Sequence, residues 1–225
     1  MTILKQFNLN QTIIAIDGEA STGKSTQAKK IAKYLGFIYK DSGAYYRAIT
    51  YYLLQNKIDS EIELNEDLLH DIKIEQNFEN NINKISLNGE DITDKIRGYK
   101  VSVNVSNYAK KPEIRDFVYK QLRKIGENES VVIDGRDIGT VVFPNAKYKF
   151  FLKANSSIRA ERRLKEINDD SVELESIKEE IIKRDNIDST RKIAPLIKAD
   201  DAVEIDVSYL SLDQVFNKLI EIIKN

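Results

Sequence analysis

Residues 18–25 read Gly-Glu-Ala-Ser-Thr-Gly-Lys-Ser, the G-x-x-x-x-G-K-[ST] spacing of a loop that cradles polyphosphate. The residue types fit that chemistry. The first turn of a helix leaves N–H groups without partners and carries the positive end of the helix dipole, so a phosphate chain satisfies both. Gly18 and Gly23 allow backbone conformations and close approaches that a Cβ would block. Lys24 can reach the β and γ phosphates, and the Ser25 hydroxyl can ligate Mg²⁺. Glu19, Ala20, Ser21, Thr22 and Thr26 complete the expected nucleotide-binding stretch. An ordinary glycine turn has no reason to set Lys beside Ser at a helix start. The loop implies a nucleoside triphosphate, but a kinase and an NTP-driven switch would share it.

Other polar side chains have two readings on spacing alone. Ser42 precedes a helical stretch and can cap it or donate to a phosphate; Arg47, four residues after Gly43, shares the face of that helix start. Solvation and phosphate binding stand equal there. Tyr46 suits either a nucleotide or the core. Arg115, within PEIRDFVYK, reads as a surface ion pair. Arg159, Arg162 and Arg163 fall at i, i+3 and i+4 on one helical face, where three guanidinium groups repel one another unless an anion lies between them. The run holding Arg184, Asp188 and Arg191 reads as a solvated face. His70, the only histidine, has no partner at ligand spacing and reads as structural or exposed.

The elements that must position these groups follow from periodicity. Thr12–Asp17 is a short apolar run ending in the glycine loop, and Ala28, Ile31, Ala32 and Leu35 behind it mark one face of a helix closed by Gly36. A second strand at Phe37–Lys40 leads through DSG into a helix to about Leu54, so two strand-to-helix units imply parallel strands with right-handed crossovers. Residues 62–100 form an insert in which alternating runs and turn signals (the Asn-rich stretch at 79–82 and Asn88-Gly89) predict small antiparallel β structure. One helical segment over roughly Val101–Ile125 then precedes strands at Val131–Asp134 and Tyr148–Leu152. Residues 155–190, dense in charge, predict a long solvated helical hairpin rather than core. Ala202–Asp206 is a last strand candidate, before a closing amphipathic helix with Val215, Leu219, Ile222 and Ile223 on its apolar face.

Composition sets the frame. The 225 residues carry 35 basic and 36 acidic side chains, a net charge of −1, which argues against gripping nucleic acid or membrane by bulk charge. With 41% hydrophobic and 32% charged residues and only 3 Pro and 9 Gly, the chain has the profile of a globular domain. No apolar run approaches the roughly 20 residues needed to span a bilayer. The first twenty residues lack a signal-peptide pattern, and 0 Cys excludes disulfides and thiolate catalysis. A single cytoplasmic domain is expected, and the charged outer helices point to a monomer.

The order of motifs resembles the bacterial cytidylate kinases (CMP kinases), among the nucleoside monophosphate kinases. IDGEASTGKST, DSGAYYRA, LNGEDITDKIR, VSNYAKKPEIR, VVIDGRDIGTVVFPNA, the RAERR segment and KRDNIDSTRKIAPL carry the resemblance over nearly the whole chain. It implies an α/β fold: a parallel-sheet P-loop kinase core flanked by helices, with the β insert for the monophosphate and the hairpin as a lid. It implies ATP as donor with Mg²⁺, and CMP or dCMP as acceptor. Ser42, Tyr46 and Arg47 would lie at the acceptor nucleotide, with Arg47 on its phosphate, and Ser106, Arg115 and Asp137 would face the cytosine. Arg136 would hold the acceptor phosphate, Asp134 would reach the metal through water with Ser25, and Arg184, Asp188 and Arg191 would close over ribose and phosphates. Lys24, Arg136, Arg162, Arg163 and Arg191 would stabilise the migrating phosphoryl group, with one or two of the lid arginines in contact with it. Two departures stand out. Glu19 replaces the usual Pro and must point away from the phosphates, and Ile187 and Ser189 stand where Arg is common.

The implied reaction needs no base, because the acceptor oxygen is already anionic, so a chain with 1 His and 0 Cys can carry it. Alignment and charge neutralisation supply the catalysis. Two other readings remain open at this point: a kinase for UMP or AMP, and a non-catalytic NTP-dependent switch.

Overall fold

The buried run Ile13–Gly18 forms β1, and in the computed structural model it lies at the centre of a five-stranded sheet. The structure describes residues 11–62, 64, 67–79, 82–167 and 172–224. The other strands are β2 (Ile38–Asp41), β6 (Val131–Gly135), β7 (Tyr148–Lys153) and β8 (Val203–Asp206), in the spatial order β2-β6-β1-β7-β8. All neighbours are parallel, so helical crossovers cover both faces. Alternation along each strand divides the core in two. Ile14, Ile16 and Val132 face one side, with Ala28, Ile31 and Leu35 of α1 (Lys24–Leu35) and Val215 and Leu219 of α8 (Leu212–Lys224). Ala15, Val131 and Ile133 face the other, against α2 (Ser42–Gln55), α4 (Tyr99–Ala109) and α5 (Pro112–Gly126).

The insert holds the short helix α3 (Asp67–His70) and an antiparallel sheet of β3 (Ile74–Glu79), β4 (Ile82–Leu87) and β5 (Glu90–Asp91). Asn88 and Gly89 join β4 to β5 with φ of 51° and 85°, the pair of left-handed residues that a tight hairpin requires. Ile74, Ile85 and Leu87 enter the same core as α2 and α4, so the insert is fastened to the domain by apolar packing. The expected turn at 79–82 includes residues 80 and 81, which lie outside the described residues, as do residues 1–10. His70 is exposed, as expected.

Two expectations change. The single helix over Val101–Ile125 is two helices, because Pro112 opens α5 and forces Lys111 into an extended conformation with φ −75° and ψ 129°. The charge-dense hairpin, α6 (Ser156–Ile167) and α7 (Leu174–Thr190), is not merely solvated. Ala160, Ile177 and Ile181 join Ala20 of the glycine loop in a small buried cluster, and Arg159 is 4% exposed. High charge density hid an apolar stripe only a few residues wide. Among the described residues, no helix is long and apolar enough to cross a membrane.

Candidate active site

The glycine loop leaves β1 where Gly18, at φ 150°, approaches β7 so closely that a Cβ would stand 2.1 Å from the Leu152 carbonyl oxygen. Gly23 heads α1 in a left-handed conformation with no side-chain cap, so the helix start faces the loop interior. Lys24 lies buried there, its Nζ donating to the Glu19 carbonyl at 2.8 Å. Burial, reinforced by the Arg136 charge, pushes the Lys24 ammonium down to about 7. Ser25 Oγ donates to Asp134 Oδ2 at 2.6 Å, and Tyr39 donates to the other carboxylate oxygen at 2.8 Å. Burial, and then the neighbouring Asp41 charge, raises the Asp134 carboxyl to about 6. Thr22 bonds within the loop, to the Glu19 carbonyl at 3.0 Å, and Thr26 is exposed.

Parallel register sets the carboxyl ends of β2, β6 and β1 side by side, pairing Asp41 with Asp134 and Asp17 with Gly135. Ligands of open α/β sheets bind at this edge. Asp41 caps α2 by accepting from the Ala44 N–H at 3.1 Å, which is the role open to Ser42; Ser42 instead donates to the Asp134 carbonyl at 2.8 Å. Arg47 folds back to Asp41 at 2.8 Å. Asp17 is buried, accepts from the Ile138 and Gly139 N–H groups at 2.9 and 2.7 Å, and is raised to about 7 by burial. It thereby ties β1 to the turn that follows Asp137.

Cations converge on this edge. Arg136 donates to Asp188 at 2.9 Å, and Arg191 lies 3.8 Å from the same carboxylate. Burial would raise the Asp188 carboxyl, but Arg136, Arg184 and Arg191 together hold it below the usual range. Arg184 is different. Its Nε is buried without a partner, and burial together with the Arg136 charge draws its guanidinium down to about 10. Arg47 Nε is likewise buried and unpartnered. Buried donors on cations pressed together have an unmet need for anionic acceptors.

Beyond the arginines lies a buried cluster of neutral and paired groups. Arg115 is not the surface ion pair that its spacing suggests: it is 0% exposed, on the inner face of α5. Its Nη1 donates to the Ala109 carbonyl at 2.8 Å, its Nε to the Tyr119 hydroxyl at 2.7 Å and its Nη2 to Asp137 at 2.5 Å. Tyr46 covers the guanidinium, its ring centroid 5.3 Å away, and the Tyr46 hydroxyl is buried without a partner. Ser106 donates to Asp188 Oδ1 at 3.2 Å, joining α4 to α7.

The three hairpin arginines diverge. Arg159 turns inward to Asp185 and to the Ala20 carbonyl, while the Ala20 N–H donates to Asp185 at 3.0 Å. The Ala20 peptide is therefore held on both sides. Arg162 donates to the Val207 and Ser208 carbonyls at 2.7 and 3.2 Å, and Arg163 pairs with Glu166 at 3.1 Å. Neither of those bonds joins the Lys24–Arg136 cluster. Glu19 points away from the helix start, 3.4 Å from the Ala154 N–H and 3.5 Å from Arg159. Ile187 is half-buried and Ser189 is exposed, its hydroxyl turned back to the Asp185 carbonyl.

Asp17, Asp41, Tyr119 and Asp185 escaped the reading of the sequence. Asp at the head of a helix is a cap signal, and Tyr119 stands four residues after Arg115 on one helical face. Asp17 and Asp185 had no local signal: the N–H groups that bond Asp17 lie 121 and 122 residues away, and the Ala20 N–H that bonds Asp185 lies 165 away. Among the described residues no three His, Cys, Asp or Glu side chains gather to hold a metal alone. A hydroxyl and a carboxylate at Ser25 and Asp134 suit a hard cation that shares its coordination with phosphate oxygens.

Comparison with known proteins places the chain. The cytidylate kinase family model matches residues 14–225. A cytidylate kinase of Flavobacterium johnsoniae is 41% identical over 225 residues, covering 96% of this chain and 98% of the relative. One from Clostridium tetani is 47% identical over 219 residues, covering 96% and 95%, and one from a Geobacillus species is 46% identical over 218, covering 95% and 97%. A solved structure of an uncharacterized protein from Eubacterium ventriosum superposes with a TM-score of 0.51 at 17% identity, over 95% of this chain and 98% of that one, a likeness of fold alone. With a family model spanning nearly its full length and relatives this similar, the chain belongs to the cytidylate kinase family.

Proposed function

We propose that the protein transfers the γ-phosphoryl group of ATP to CMP or dCMP, giving ADP and CDP or dCDP. The observation that carries this reading is the buried, unpartnered Nε of Arg184 beside Arg136, Arg47 and Lys24. Cations are not assembled at such cost without an anion to neutralise, and these accompany the glycine loop and the buried Arg115–Asp137 pair. ATP would occupy the loop at residues 18–26, and CMP would run from Arg47, Arg136 and Arg184 to Ser106, Arg115 and Asp137.

The acceptor phosphate oxygen attacks the γ-phosphorus as the bond to the β-phosphate oxygen breaks, and the charge leaves on ADP. No proton has to be removed from the nucleophile. Lys24, Arg136 and Arg191 neutralise the migrating group, and Arg184 and Asp188 orient the acceptor ribose and phosphate. Mg²⁺ would be held by Ser25 and, through water, by Asp134; when bound it supplies charge neutralisation at the phosphates. The hairpin at 155–190 acts as the lid that excludes water, with Arg162 and Arg163 brought toward the phosphates as it closes on both nucleotides. The reading takes the protein as a cytoplasmic monomer without nucleic-acid or membrane partners, in keeping with 35 basic against 36 acidic side chains.

A coupled assay of ADP release tests it. Release that requires CMP or dCMP supports the assignment; release that prefers AMP or UMP, or proceeds without an acceptor, overturns it.

A further inference from the structure

We propose that the Tyr119 hydroxyl is a specificity-positioning group: it occupies one oxygen of Asp137 so that the other is the oxygen presented to the acceptor base. This rests on the cytidylate reading above. A carboxylate has two oxygens, and which base it recognises depends on which one is unspent. Asp137 Oδ2 accepts from the Tyr119 hydroxyl at 2.6 Å and from Arg115 Nη2 at 2.5 Å. Among the described residues Asp137 Oδ1 meets only Arg191 Nη2, at 3.5 Å, the limit of a hydrogen bond. The capacity to accept therefore lies on Oδ1.

Tyr119 can hold this arrangement because it is itself held. Its hydroxyl accepts from Arg115 Nε at 2.7 Å while donating to Asp137, so both of its roles are assigned and its direction is determined. The guanidinium of Arg115 has the Tyr46 and Tyr119 ring centroids 5.3 and 5.2 Å from it. Arg115 and Asp137 are 0% and 3% exposed, so water does not replace a lost partner cheaply. An acceptor-only Oδ1 selects a base edge that donates, such as the exocyclic amino group of cytosine. A keto oxygen at the same place would set acceptor against acceptor.

Tyr119→Phe keeps the ring and removes the hydroxyl. The expected result is a KM for CMP raised about tenfold, kcat within about twofold, and a CMP-to-UMP efficiency ratio lowered at least about fivefold, the scale of one buried hydrogen bond. In an Asp137→Asn background the same substitution should leave the ratio unchanged, because asparagine has a single side-chain oxygen and the choice between two is gone. A structural role alone would lower the melting temperature without this split. A ratio unchanged by Tyr119→Phe, or changed equally in both backgrounds, overturns the assignment while leaving the kinase reading intact. A parent enzyme that does not use CMP overturns both.

Discussion

The Ser25 hydroxyl donates to Asp134 Oδ2 at 2.6 Å, joining the first turn of α1 to the end of β6 across 109 residues of sequence. Asp134 is a crossing point: its other oxygen takes the Tyr39 hydroxyl, and its backbone carbonyl takes Ser42 at the start of α2. The glycine loop and α2 are thus indexed on one residue. Asp134→Asn should lower kcat/KM by about 100-fold and raise the Mg²⁺ concentration at half-maximal rate, since an outer-sphere carboxylate both positions and charges the site. Initial rates over a Mg²⁺ series read both effects. An unchanged Mg²⁺ profile removes Asp134 from the metal.

The Arg159–Asp185 pair around the Ala20 peptide should be costly to break from one side. Asp185→Ala leaves Arg159, whose side chain is 5% exposed, without its carboxylate, so a loss of about 3 kcal/mol is expected. Urea unfolding measures it. The KM for ATP should rise with it, because the Ala20 N–H and the loop lose their brace. Asp185→Asn, which still accepts from Ala20, should fall between the two.

Lys24 gives a pH dependence whose sign can be worked out. In the free protein its ammonium is held at about 7 by burial and by Arg136. Bound phosphates favour the charged form and raise that value, so above pH 7 ATP binding takes up a proton. ATP affinity should therefore fall as pH rises from 7 to 9 and level off below 7, where Lys24 is charged in both states. Calorimetry in buffers of different ionisation enthalpy detects the proton. Lys24→Arg, charged throughout, should abolish the uptake.

Arg47 reaches Asp41 across the face of Gly43, where an added Cβ would stand 2.9 Å from Arg47 Nη1. Gly43→Ala should displace that guanidinium and raise the KM for CMP by about tenfold, with the KM for ATP unchanged, as expected when one charge-assisted contact is lost. Steady-state kinetics with each nucleotide varied separates the two. Equal changes in both would mean that Arg47 does not serve the acceptor.

The parallel core was legible because Ile13–Ile16 and Val131–Ile133 are apolar without interruption and each is followed by Asp-Gly, a pattern that buried parallel strands produce and few other elements do. The loop was legible because its residues act through their own backbone. Arg115 was not. Its neighbours in sequence are charged, and only the packing of α5 against Ala109 and Asp137 turns it inward. Asp185 and Arg159 were hidden for the same reason: a charge run is identical on paper whether its partner is water or a peptide 139 residues away. Pro112 was legible in principle, since proline at a helix start is a stop signal for the helix before it.

On the proposed function, two nucleotides meet phosphate to phosphate between Lys24 and Arg184. A bisubstrate ligand, adenosine and cytidine joined through a polyphosphate, tests it in one calorimetric titration. The expected result is one site per chain, an affinity above that of either ATP or CMP, and displacement by each of them. Displacement by ATP alone, with no competition from CMP, would contradict it.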